Sequence, residues 1–380
     1  MKKLFLLFHG RFPGEKAASL FAAKSAEAFA KAGIEVEVIV PKRKGVDAQN
    51  AYAYFSVEHN FKITELSTID IFGGPSAKFA FWLSFIAFSF SCRSFLKKNL
   101  HEGDIVYSNE SLPLYAASFI TDRVFYEMHD FPESKLGLFS IFLKRMKWLL
   151  VHNNWKTQKL HEVFKISAEC VITEPNAVSI ETFDISISKE DARAKLGLPL
   201  DKKLIVYTGA LFGWKGVHTL AEAAKYLPQD FIVAFVGGAL KDIEVCKKAY
   251  RERKEILILG HRPHKEMPLW QKAADVLVLP NTAKEAISLY YTSPMKLFEY
   301  MASGRAIVAS DIPSIRELAD DSSVLFVPAD DAKALATGIV KAMDESQETK
   351  SRMSRARVGV EDHTWDKRAQ RILSFIKNHA

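Results

Sequence analysis

TSPMKLFEYMASGRAIVASDIPSIRE, residues Thr292 to Glu317, is the stretch from which the fold is read. Ser293 suits a helix N-cap and Pro294 the first helical position. Met295, Leu297, Phe298, Met301 and Ala302 then recur at helical spacing, and Gly304 sits where such a helix stops. Ala306 to Ala309 follows as a short, fully buried strand, and Ser310-Asp311 with Pro313 turns the chain away. The unit is loop, helix, tight turn, strand. Its helix N-terminus is free to meet an anion, because the first N–H groups lack intrahelical partners and the dipole favours negative charge. Glu299 lies one turn beyond Met295, on nearly the same face. A phosphate at the tip and a carboxylate behind it suit the diphosphate and ribose of a nucleotide.

The grammar on either side is the same. Lys3 to His9 reads as a buried strand, Gly10-Arg-Phe-Pro-Gly14-Glu-Lys16 as a loop, Ala17 to Ala32 as a helix, and Ile34 to Val40 as a second strand. Such an opening implies a parallel sheet whose ligands sit at the carboxyl ends of its strands. The glycines do not form G-x-G-x-x-G, so a dinucleotide fingerprint is absent; Lys16 either meets a phosphate from this loop or is a solvated lysine at a helix start. Asp104 to Tyr107 and Arg123 to Tyr126 read as core strands. His129 follows the second, where a histidine can donate a hydrogen bond or a proton, or be satisfied by Asp130 or backbone. From Lys203 the pattern restarts, with strands expected at Lys203–Thr208, Phe231–Val236, Ile256–Leu259 and Asp275–Pro280 and with glycine-spaced loops between them. Two strand–helix halves predict an α/β protein of two doubly wound domains facing a cleft. The expected division is 1–185, 186–360, and a C-terminal helix from 361 to 380 that crosses back to brace the first domain.

Composition fits that architecture. The chain has 380 residues, 48% of them hydrophobic and 26% charged, ordinary for a soluble globular protein. Cys92, Cys170 and Cys246 are far apart, which indicates neither a disulfide frame nor a zinc ribbon and fits a reducing compartment. The apolar run after Lys3 ends at Phe8, too short for a signal peptide. A net charge of +7 favours anionic partners such as nucleotides, lipid pyrophosphates or phospholipid surfaces. No zinc-finger spacing or aromatic RNA-binding pattern supports nucleic acid.

Two segments bear on membranes. Phe79 to Cys92, FAFWLSFIAFSFSC, is followed by Arg93, Lys97 and Lys98; Lys135 to Leu150, KLGLFSIFLKRMKWLL, reads as an apolar helix carrying Lys144, Arg145 and Lys147. Each is either a helix packed on the sheet or a helix lying in an anionic interface.

The chain holds no H-E-x-x-H, G-x-S-x-G, Walker A or D-x-D motif. His261 and His264 lack an evident third ligand for zinc. Taken together, Tyr207 to Leu220 (YTGALFGWKGVHTL), Leu259-Gly-His-Arg-Pro263, Ala274 to Pro280 and above all Ser293-Pro-Met-Lys-Leu-Phe-Glu-Tyr-Met-Ala302 resemble the retaining glycosyltransferase family 4, of GT-B fold. The likeness is strong across the second domain and loose across the first, and it points to the subgroup with Ser-Pro-x-Lys in place of a glycine-rich loop.

That resemblance implies metal-independent transfer of a sugar from a UDP- or GDP-sugar, with retention at the anomeric carbon, to a glycan or lipid-linked acceptor. It implies no cofactor beyond the nucleotide-sugar co-substrate. Lys215 resembles the lysine that neutralises the donor diphosphate, and Glu299 the glutamate on the ribose hydroxyls. The N–H groups of Met295 and Lys296, preceded by Ser293 and Pro294, would hold phosphate, with Gly209 letting the backbone approach. Arg262 lies where the base is met, and His129 resembles the histidine that contacts the transferred sugar. Gly10, Gly14 and Lys16 form the corresponding loop of the first domain, for acceptor or phosphate. Two positions depart from the family: Ala210 replaces an arginine, and Tyr291 a glutamate. Lys296 or Lys16 would then supply the missing cation. A GT-B-like epimerase, a phosphorylase and a non-catalytic nucleotide-sugar scaffold are the rival readings. The location implied is cytoplasmic, peripheral on the inner face of the cell membrane.

Overall fold

The computed structural model describes residues 2–70, 77–134, 136–344 and 346–379. The chain divides into two compact units, Met1–Glu174 with Trp365–Ala380, and Pro175–Thr364.

In the first unit seven parallel strands run in the order β3-β2-β1-β4-β5-β6-β7. They are β1 (Lys3–Leu7), β2 (Glu35–Pro41), β3 (Lys62–Leu66), β4 (Ile105–Ser108), β5 (Val124–Met128), β6 (Trp148–Val151) and β7 (Val171–Thr173). β4, β5 and β6 are buried at every position, as expected of strands with helices on both faces. The order reverses at β1, so the crevice at the carboxyl ends of β1 and β4 is the place where a doubly wound sheet takes its ligand.

The second unit repeats this with six parallel strands, ordered β10-β9-β8-β11-β12-β13. These are β8 (Lys203–Thr208), β9 (Phe231–Val236), β10 (Ile256–Gly260), β11 (Val276–Leu279), β12 (Ala306–Asp311) and β13 (Leu325–Pro328). Leu204 and Val206 point into one apolar cluster while Ile205 and Tyr207 point into the other. The two-residue alternation of a strand thus covers both faces of the sheet.

Four expectations are corrected. The division falls at 174/175 rather than at 185, because Ile180 and Phe183 bury in the core of the second unit and the Val178 N–H donates to the His363 carbonyl (2.9 Å). The last helix, Trp365–Asn378, begins at 365 rather than at 361; it packs on the helix Ala17–Lys31 of the first unit. Lys135–Leu150 is not one helix: Lys135 lies outside the described residues, the helix spans Leu136–Leu143, and Trp148 opens β6. Four consecutive apolar residues, Trp148 to Val151, fit a strand buried on both faces better than a helix interrupted by Lys144, Arg145 and Lys147. Finally, the apolar helix is Ala77–Asn99, longer than Phe79–Cys92, and by length and composition long enough to cross a membrane. Phe88, Cys92 and Leu96 nevertheless sit fully buried in the core of the first unit. The opposite face exposes Phe79, Trp82, Ile86 and Phe90, spaced along one stripe.

Candidate functional site

Three glycines with left-handed backbones stand at the carboxyl ends of adjacent strands in the second unit. Gly209 (φ 121°) follows β8, Gly237 (φ 119°) follows β9, and Gly260 (φ 74°) closes β10. The Gly209 N–H donates to the Val236 carbonyl (2.8 Å) and the Gly237 N–H to the Gly260 carbonyl (2.7 Å). A Cβ on Gly237 would stand 2.5 Å from the Gly209 carbonyl oxygen, so that position has no room for a side chain, while at Gly209 and Gly260 the left-handed backbone is what favours glycine. At Gly216 (φ 73°) the approach is closer still, 1.6 Å from a built Cβ to the Pro280 oxygen.

The helix carrying the quoted motif spans Met295–Ser303. Its cap differs from expectation: Pro294 occupies the N-cap position in an extended conformation, with no side-chain cap. Ser293 Oγ instead accepts from the Asn176 N–H (3.1 Å), and the Asn176 side-chain amide donates to the Ser293 carbonyl. The hydroxyl is thus spent on tying in the 175–178 segment, which explains why it does not cap. The N–H groups of Met295 and Lys296 precede the first bond, from Leu297 N–H to the Pro294 carbonyl (3.0 Å), and so stand at the open tip. Deeper in the helix, Tyr300 is fully buried, and its hydroxyl accepts from the Thr208 N–H (2.9 Å), fastening the helix to the end of β8.

Charge gathers at the same place. Glu299 is buried, facing His264 Nε2 at 3.3 Å and Gln271 Nε2 at 3.4 Å; the sequence reading named neither partner. Lys296 is buried beneath the tip, its Nζ 3.8 Å from the centre of the Tyr207 ring and without a hydrogen-bond partner. Desolvation, and then the neighbouring Lys215, press its ammonium far below the usual lysine range, with Glu299 opposing. Burial also lowers Lys215, and Glu299 again opposes. Two lysines and one glutamate are therefore close enough to sense one another, and neither lysine makes an ion pair among the described residues. Arg262 stands apart: it is exposed, with its guanidinium 5.7 Å over the Trp270 ring. Tyr291 is buried at the end of a π-helical turn, Ile287–Tyr291.

The first unit assembles a second set. Gly10 and Gly14 lie in the loop after β1; a Cβ at Gly10 would strike the Phe8 ring at 2.4 Å and one at Gly14 the Arg11 carbonyl at 2.6 Å. Lys16 occupies the N-cap position of the helix Ala17–Lys31 and is exposed. His129 follows β5. Between these loops the structure places Glu110, just after β4, which no motif had singled out. Burial raises its carboxyl above the usual range, while a backbone hydrogen bond from His9, then His129 and Lys16, pull it down. His9 is itself buried against Arg43 (3.0 Å) and Ser84 (3.1 Å), and desolvation followed by Arg43 lowers it to about 4.

Beneath His129 lies Glu127, completely buried. Arg368 from the last helix (2.6 Å), His152 Nε2 (2.7 Å) and the Tyr107 hydroxyl all bond it, and His129 Nε2 faces it at 3.3 Å. Burial opposes its ionisation, but Arg368 and the two imidazoles outweigh that and hold the carboxyl well below its ordinary range. The carboxylate oxygen and the two imidazoles lie within 4.8 Å of one another, the donor types that bind a divalent cation. Arg368 already places a guanidinium on that same oxygen, so the cluster is a charge-balanced network and does not fit a metal.

The two doubly wound units define the GT-B class of fold. Residues 188–357, inside the second unit, match the family model described as "Glycosyl transferases group 1". Among curated proteins, the D-inositol 3-phosphate glycosyltransferase of Xylanimonas cellulosilytica is 22% identical over 237 residues, 59% of this chain and 55% of that protein. The phosphatidyl-myo-inositol mannosyltransferase of Mycolicibacterium smegmatis is 25% identical over 203 residues, 52% of this chain and 50% of that one. The chain thus spans about half the length of these relatives. Among solved structures, the sucrose-phosphate synthase of Thermosynechococcus elongatus superposes with a TM-score of 0.79 at 19% identity, covering 100% of this chain and 99% of that one. Anabaena HepE in complex with UDP and glucose gives 0.74 at 19%, covering 99% and 100%.

Proposed function

We propose that the chain is a retaining, metal-independent glycosyltransferase that moves a sugar from a UDP- or GDP-sugar to a hydroxyl of a glycan or lipid-linked acceptor. The observation that carries this reading is the convergence, in the second unit, of Lys215, Lys296 and Glu299 with the open tip of the helix Met295–Ser303. Neither Lys215 nor Lys296 makes an ion pair among the described residues, and the glycines at the ends of β8, β9 and β10 carry no side chain between a ligand's phosphates and the backbone. A nucleoside diphosphate supplies the missing negative charge. Support comes from the family model over 188–357 and from the UDP in the solved HepE complex.

In this reading the acceptor hydroxyl attacks on the face from which the diphosphate departs, and a donor phosphate oxygen takes its proton. Lys215 and the helix tip stabilise the leaving group, an electrostatic demand that oriented cations and N–H groups meet. Glu299 holds the ribose, with His264 and Gln271 fixing its carboxylate. His129 keeps the role that the resemblance gives it, contact with the transferred sugar. Arg262, exposed, is left for the base. A thermal-shift screen of UDP-, GDP- and ADP-sugars tests the donor: one of them should stabilise the wild type and not Lys215→Ala. Stabilisation by none removes the reading, and sugar-nucleotide turnover without an acceptor favours an epimerase.

The acceptor side is read as a membrane-facing one. Phe79, Trp82, Ile86 and Phe90 on one helix, and Leu138 and Ile141 on another, are exposed, with Arg93, Lys97, Lys98, Lys144 and Lys147 in the same segments. Large apolar side chains beside cations suit the anionic inner face of a cell membrane.

A further inference from the structure

The backbone at His129 is pinned from below. Lys156, fully buried, donates from Nζ to the Met128 carbonyl (3.2 Å) and the His129 carbonyl (2.5 Å). The ring is enclosed as well: Phe21 meets it edge-on with centroids 4.8 Å apart, and His152 lies 4.7 Å away. Phe21 in turn touches Trp365 (5.1 Å) and lies under the Arg368 guanidinium (5.2 Å), both from the last helix. His129 is 27% exposed at its side chain, yet its Nε2 is buried, 3.3 Å from Glu127 and outside good hydrogen-bond geometry. The ring's accessible edge is therefore not the Nε2 edge.

We propose that Glu127, clamped by Arg368 of the C-terminal helix, is a positioning residue that holds His129 as the Nε2–H tautomer and leaves Nδ1 as a hydrogen-bond acceptor for a substrate hydroxyl. The physical reason is the shared carboxylate. A buried carboxylate accepts hydrogen bonds and has no hydrogen to donate, so the nitrogen facing it carries the hydrogen. His152 occupies the same oxygen at 2.7 Å, and desolvation, with Glu127 opposing and His129 and Lys156 adding to it, lowers that imidazole to about 3. His152 is thus a neutral donor, and Arg368 brings the only full positive charge bonded to Glu127 among the described contacts. The last helix, remote in sequence, supplies through Arg368 the charge that keeps Glu127 available to His129. Asp130, Glu110 and Lys156 surround the cluster at longer range.

That Nδ1 meets a substrate hydroxyl rests on the transferase reading; the tautomer does not. Long-range 15N–1H correlation of the histidine side chains, on the full chain at pH 8 and without substrate, reads the tautomer directly, with His129→Gln assigning the signal. The expected result is Nε2–H in the wild type. Nδ1–H overturns the proposal whatever the activity. For the functional half, Arg368→Met, confirmed folded by circular dichroism, should lower kcat by about tenfold to a hundredfold by misplacing the imidazole. The donor KM should stay within about twofold, and Arg368→Lys should recover part of kcat. Wild-type kcat in Arg368→Met overturns the positioning role. Nε2–H in a protein that transfers no sugar overturns the transferase reading alone.

Discussion

Lys296 Nζ lies 3.8 Å from the centre of the Tyr207 ring and has no hydrogen-bond acceptor among the described residues. The ring face offers a buried cation some attraction, but much less than water does. Tyr207 is itself fixed, its hydroxyl donating to the Ala210 carbonyl at 2.6 Å, so the lysine is held under the loop that carries Ala210. A buried ammonium so placed costs stability, and an arriving anion would relieve that cost.

Lys296→Met should therefore stabilise the fold while weakening nucleotide binding. The folded-state lysine titrates below its unfolded value of 10.5, so the unfolded chain binds the extra proton between the two. Stability then rises with pH across that window, and the penalty is greatest below the folded value. At neutral pH the methionine variant should gain about 1–3 kcal/mol, the scale for burying an unsatisfied polar group. The gain should shrink as pH approaches 10.5. Calorimetric unfolding at pH 7 and pH 10, with nucleotide titration alongside, checks both halves; a destabilised variant that binds normally contradicts them.

Gly213 and Gly216 sit three residues apart and should respond unequally to alanine. An alanine at Gly216 meets the Pro280 carbonyl in a left-handed backbone, whereas a Cβ at Gly213 meets nothing within 4 Å. Gly216→Ala should cost roughly 1–3 kcal/mol from the backbone conformation alone, with the clash in addition. Gly213→Ala should be near neutral. Urea midpoints of the two variants decide the matter, and equal losses would show that the loop relaxes around the added methyl.

Acid should unfold the first unit in a defined window. His9 and His152 titrate near 4 and 3, below the ordinary 6.5, and Glu127 titrates below 4.5. From pH 6.5 downward the unfolded chain takes up histidine protons that the folded chain refuses, and below 4.5 a carboxylate proton too. The sign is the same for all three, so stability falls as pH falls. His152→Gln should flatten the slope between pH 6.5 and 4. Urea unfolding at stepped pH measures it, and an unchanged slope would mean that His152 is protonated in the folded state.

Replacing Trp82, Ile86 and Phe90 together by serine should abolish flotation on vesicles containing anionic lipid and leave the melting temperature close to that of the wild type. These side chains are 56%, 43% and 67% exposed, so the core loses little. Flotation that persists would place the membrane contact elsewhere.

Much of this was legible in the chain because parallel strands buried on both faces leave unbroken apolar runs. Val276 to Leu279 and Ala306 to Ala309 are such runs, and the glycines after β8 and β9 mark where the backbone must turn. Trp148 to Val151 is the same kind of run, yet it adjoins another apolar segment and local pattern alone merged the two. Ser293 is a good cap by type, but its hydroxyl is claimed by Asn176 from 117 residues away. The cluster around Glu127 joins β4, β5, the end of β6 and the last helix, so no local spacing encodes it. One signal was present: a glutamate inside the buried strand Val124–Met128 has to find a cation, and Arg368 is that cation. The helix Gln347–Gly359 was missed for the opposite reason, since it is polar on nearly every face and buries only Thr349 and Ala356.

In the proposed reaction Lys215 stabilises the departing nucleoside diphosphate, and single-turnover sugar transfer by Lys215→Ala is the direct measurement of that role. The rate should fall by about a hundredfold or more, the scale for removing one oriented electrostatic stabiliser, with an unchanged melting temperature. Near-normal transfer by the folded variant would contradict it.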